Sequence, residues 1–184
     1  MNMDEKELKE LIQRIAEQVI KRMTQGEETS AGALALVPSF VTEPARLSAY
    51  LKEKYADGFT AIGEGAAALQ ACKTLSVQTQ QDKQRCMASL KGFAGVTLIF
   101  PPLYLLKNIA DGDDRGFFEQ VFLRSLLWNK SVSVLLDFER PGFKRGTYFE
   151  GLSDALHAIE NMGAQVVSLE SPAVKTEGRL SLVT

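Results

Sequence analysis

Apolar runs and helical stripes alternate along the chain. Val96 to Phe100, VTLIF, is an apolar run rich in β-branched residues with no period-two alternation. A strand of that kind is covered on both faces and belongs in a parallel sheet. Pro101 and Pro102 end it, because proline has no N–H for a central ladder. Ala33 to Val37, Phe59 to Ile62, Leu75 to Thr79, Val132 to Leu136 and Gln165 to Leu169 read as further strands. Helices are predicted from an N-cap at Thr42, with Pro44 near the first turn, to about Tyr55, over the alanine-rich Ala66 to Ala71, and from Gln80 to Phe93. Three more follow over Leu103 to Ala110, Phe117 to Trp128 and Thr147 to Met162, the last closed by Gly163. That order predicts an α/β fold, a doubly wound, mostly parallel sheet sandwich with right-handed crossovers. Such sheets bind ligands beyond the carboxyl ends of their strands, which makes the double-proline corner a candidate site.

Residues 4–23 carry the clearest helical stripe, with Leu8, Leu11, Ile12, Ile15, Val19, Ile20 and Met23 on one face. Acidic residues open this segment and Lys21 and Arg22 close it, which complements the helix dipole. A Gly/Ser/Thr/Glu-rich linker at 24–32 separates it from the domain at 33–184. The stripe must be buried against its own domain, a second copy or another protein.

The composition is that of a globular protein, with 45% hydrophobic and 24% charged residues. A formal net charge of -2 gives no electrostatic case for nucleic acid or an anionic membrane. The sequence has no apolar stretch near the roughly 20 residues of a membrane span and no signal-peptide core, so a cytoplasmic location is expected. Cys72 and Cys86 are not spaced as a zinc motif and read as small buried hydrophobes.

The chemistry-bearing residues are sparse. His157 is the single histidine and has no nucleophile elbow to serve. Asp111, Asp113 and Asp114 form an acidic loop without the later Glu of a calcium loop, so no metal is expected. Arg140, Lys144 and Arg145 could meet an anion or simply face water. Gly63-Glu64-Gly65 is either a phosphate cradle or a plain tight turn. Phe117, Phe118, Phe122 and Trp128 lie at helical spacing, as core aromatics do.

The stretch from Ile99 to Phe138 resembles the family of homo-oligomeric flavin-containing cysteine decarboxylases, which includes phosphopantothenoylcysteine decarboxylase and flavin prenyltransferase. Pro101, Lys107, Ile109, Ala110, Gly112 and the apolar helix after them match the family pattern. Leu156, Gly163 and the following strand match its last unit, and Glu177 to Leu180 its glycine-rich ending. The resemblance implies a Rossmann-like sandwich that forms homo-oligomers and holds FMN against the loops after three strands. The matching positions are Ser39 and Phe40, Gly63 and Gly65, and Pro101, Pro102 and Leu103. The family's Asn-Thr pair and its histidine are replaced here, the histidine's place being taken by Gln84, Arg85 and Cys86. Those losses argue against cysteine decarboxylation and leave Cys86 or Tyr104 as the remaining candidates for a related reaction.

Residues 4–23 are similar to the encapsulation peptides of enzymes packed inside bacterial microcompartments. The two resemblances together imply an accessory protein of ethanolamine or propanediol utilisation, located in a microcompartment lumen and bound to shell or core enzymes. Two roles stay open: an FMN-binding flavoprotein serving redox or cofactor maintenance, and a non-catalytic adaptor that has kept the fold and lost the site.

Overall fold

The computed structural model describes residues 12–17, 32–71, 73–141 and 145–169. Among the described residues six parallel strands form one sheet: β1 (Ala33–Leu36), β2 (Phe59–Ile62), β3 (Lys73–Leu75), β4 (Gly95–Ile99), β5 (Ser131–Leu136) and β6 (Gln165–Ser168). Their order is β3-β2-β1-β4-β5-β6. This is the doubly wound α/β arrangement that the alternation of elements predicts. The helices are α1 (Pro44–Lys54), α2 (Gln80–Ser89), α3 (Leu103–Ala110), α4 (Phe117–Leu127) and α5 (Tyr148–Asn161).

Strand side chains alternate between two cores, which is why the central runs are apolar throughout. Leu34, Leu36, Ile62, Val96, Leu98, Val132 and Val134 face the layer of α2 to α5. Ala33, Ala35, Val37, Phe59, Ala61, Ile99 and Leu135 face the opposite side, where α1 contributes Leu47 and Leu51. Burying each such leucine contributes about 1.5–3 kcal/mol. Two buried hydroxyls interrupt the second face. Thr97 and Ser133 are 2.9 Å apart, and Lys54 Nζ donates to Ser133 Oγ over 2.9 Å. Tyr55 Oη hydrogen-bonds Thr97 Oγ1, so the last turn of α1 satisfies both hydroxyls.

Four expectations are corrected. The third strand is Lys73–Leu75 rather than Leu75 to Thr79, because it is a short, largely exposed edge with little apolar signal. The alanine-rich segment is not an α-helix but a 3₁₀ turn, Glu64–Ala68. The helix before β4 stops at Ser89 and continues as a separate 3₁₀ turn, Leu90–Gly92. Thr42 does not cap α1 either: Glu43 occupies that position without a side-chain cap, and Pro44 opens the helix. Residues 12–17 are helical, with Ile12 and Ile15 58% and 52% exposed. The rest of the helix predicted over 4–23, the linker up to residue 31, Cys72, Lys144 and the 177–180 ending lie outside the described residues.

Candidate functional site

β1 and β4 are neighbours in the sheet, yet their connections leave on opposite faces. The crevice beyond their carboxyl ends is therefore the topological switch point. Both loops there were singled out by sequence. Ser39 Oγ, after β1, donates to the carbonyl of Phe100, after β4, over 3.3 Å.

The loop after β2 joins them. Val37 N–H donates to Ile62 O over 2.8 Å, and Gly65 N–H donates to Val37 O over 3.3 Å. A Cβ on Gly65 would lie 2.2 Å from Ser39 O, and one on Gly63 would lie 2.1 Å from Val37 O. Gly63 also has φ 112, a backbone region that side chains rarely adopt. These glycines let the loops after β1 and β2 pack backbone to backbone, and the Ser39 side chain ties that pair to the loop after β4. The bonded Gly65 N–H and the filled space favour the tight-turn reading of Gly63 to Gly65 over a phosphate cradle.

Sequence reasoning missed Phe100. It has φ 45, in the left-handed region that costs a non-glycine residue about 1–2 kcal/mol. Its N–H donates to Leu135 O over 2.9 Å, its carbonyl accepts from Ser39, and its ring is buried in the second core. The twist turns the chain off β4 into Pro101, which is buried, and Pro102, which precedes α3. No signal in the residues could have revealed it. A residue before proline is expected to be extended.

The structure thus gathers Ser39, Gly63, Gly65 and Pro101 at one end of the sheet, with Phe40, Pro102 and Leu103 adjoining them in the chain. Phe40 is 79% exposed and Tyr104, next to Leu103, is 63% exposed. α3 starts without a side-chain cap, leaving the first-turn N–H groups of Leu103 and Tyr104 at its positive end. None of the seven predicted residues is ionisable. The crevice can bind through backbone donors, one hydroxyl and exposed apolar surface, but those seven supply no general acid or base. An exposed aromatic and apolar rim fits the planar ring of a flavin, while the glycine turn gives no separate hold on its phosphate.

The other candidates stay apart from this crevice. Cys86 is buried, and burial pushes its thiol up to about 11, which removes it as a nucleophile at neutral pH. Asp113 is held by Arg115, whose Nη2 lies 2.5 Å from Oδ2, and this pairing keeps the Asp113 carboxyl below its usual range. Among the described residues no cluster of three His, Cys, Asp or Glu side chains could hold a metal ion. His157 lines a small cavity with Arg140, which is paired with Glu160 at 2.5 Å. No helix among the described residues is long and apolar enough to cross a membrane.

No family model matches the chain, and no curated protein matches it. Among solved structures the chain is similar to phenylacrylic acid decarboxylase from Aquifex aeolicus. That match has 15% sequence identity and a TM-score of 0.51, covering 74% of this chain and 79% of the other. The likeness bears on the fold, which agrees with the sandwich that the sequence resemblance implied.

Proposed function

We propose that the switch-point crevice binds FMN, and that the protein is a flavoprotein-like accessory factor. The observation that carries this reading is the convergence of the loops after β1, β2 and β4, locked by Ser39 and Phe100 and edged by Phe40, Leu103 and Tyr104. Phe40 and Tyr104 offer surfaces for the isoalloxazine ring, and the uncapped start of α3 offers N–H groups to an anionic oxygen. Bound there, the flavin would supply the redox or electron-sink chemistry, and the chain would orient it. Titration with FMN, followed by quenching of flavin fluorescence, tests the site. Saturable quenching that weakens in Phe40→Asp supports it, and quenching indifferent to that change refutes it.

A second reading rests on a different observation. The seven crevice residues are not ionisable, and Ile12 and Ile15 leave an apolar stripe exposed. These support an adaptor that docks by its N-terminal helix to shell or core enzymes of an ethanolamine- or propanediol-utilisation microcompartment. Ile12→Asp/Ile15→Asp should abolish co-localisation with such a shell, and unchanged localisation would remove this reading. Homo-oligomer formation, which the sequence resemblance also implies, is checked by light scattering.

A further inference from the structure

A second cavity lies beside the crevice and has a different chemistry. It measures about 350 Å³ and opens between the first turns of α2 and α4. Gln80, Lys83, Gln84 and Met87 line it from α2, with Arg115 and Phe117 opposite. The Phe117 and Phe118 rings meet edge to face at 5.6 Å, and Phe118 reaches Gly63 at the crevice. An aromatic pair therefore stands between the two spaces.

We infer that this cavity binds a small organic monoanion, a carboxylate on an apolar or aromatic stem. Three features argue for it. Lys83 Nζ sits 5.9 Å from the Phe117 ring centroid, and no carboxylate pairs with it among the described residues. The lining contains no acid, and the nearby Asp82 carboxylate is taken up by the α2 cap, accepting from Thr79 N–H. Gln80 and Gln84 add neutral donors, while Phe117 and Met87 are the apolar side chains of the lining that the stem would meet. Arg115 is already paired with Asp113, so among the described residues Lys83 is the one charge of the lining without a carboxylate, and a monoanion matches it better than a dianion. The volume is at the small end of ligand sites and suits a compact acid.

The inference does not depend on flavin in the crevice. Its test is calorimetric titration of the full-length protein with benzoate, neutral benzamide and inorganic phosphate, each with and without FMN. Benzoate should bind saturably. Benzamide, and benzoate to Lys83→Met, should bind about tenfold or more weakly, the loss expected for one charge-assisted contact. Lys83→Arg should retain most of the affinity, which separates lost charge from lost structure. Phe117→Ala should weaken benzoate and leave phosphate unchanged. FMN affinity should be the same in Lys83→Met, so failure of flavin uptake would not touch this result. Absent benzoate binding, equal affinity for benzamide, phosphate binding as tight as benzoate, or an unaltered Lys83→Met would each overturn the inference.

Discussion

Ser39 Oγ donates to the Phe100 carbonyl across 3.3 Å, tying the loop after β1 to a residue held in a left-handed conformation after β4. The two residues are 61 positions apart in sequence. Their bond fixes the shape of the crevice in which the flavin is proposed to lie, so the site and the strained turn stand or fall together.

Ser39→Ala removes that bond from a half-buried carbonyl. A loss of about 0.5–1.5 kcal/mol is expected, with FMN binding weakened as well. Urea unfolding at constant m-value measures the first part, since an altered m-value would signal a change beyond the bond.

The glycines should separate by position. Gly65→Ala places a Cβ 2.2 Å from Ser39 O, so a loss of about 2 kcal/mol or more is expected. Gly112 has φ 71 but nothing within 4 Å of an added Cβ, so Gly112→Ala should cost only about 1 kcal/mol. Thermal unfolding of both variants checks the ranking. Equal losses would mean that the loops do not pack as described.

Cys86 gives a pH prediction. Burial raises its folded thiol from 9.0 to about 11, so above pH 9 the unfolded chain releases a proton that the folded chain keeps. Its contribution to stability is fully present below pH 9 and falls as pH rises toward 11. The decline should be smaller in Cys86→Ser. In a Cys72→Ser background the native protein should resist thiol reagents until it unfolds, and rapid native labelling would show Cys86 to be accessible.

Much of the fold was legible because its central strands are apolar on both faces and its helices carry clear stripes. Leu103–Ala110 is found at the predicted ends. Lys73–Leu75 escaped because an exposed edge strand needs little apolar sequence, while Val77 just beyond it packs against the core from outside the strand. The 3₁₀ turn at Glu64–Ala68 escaped because alanine propensity favours α-helix, whereas Gly65 is drawn to Val37 by tertiary contact. The loops of the crevice were placed by resemblance and topology. The twist at Phe100 and the cavity beside Lys83 were not, since both arise from residues distant in sequence.

The absorption spectrum of the purified full-length protein, recorded before and after incubation with FMN and gel filtration, decides whether the switch-point crevice holds a flavin. A flavin band should co-elute with the protein and be lost or reduced in Phe40→Asp. A colourless protein from which added FMN separates completely would contradict flavin binding there.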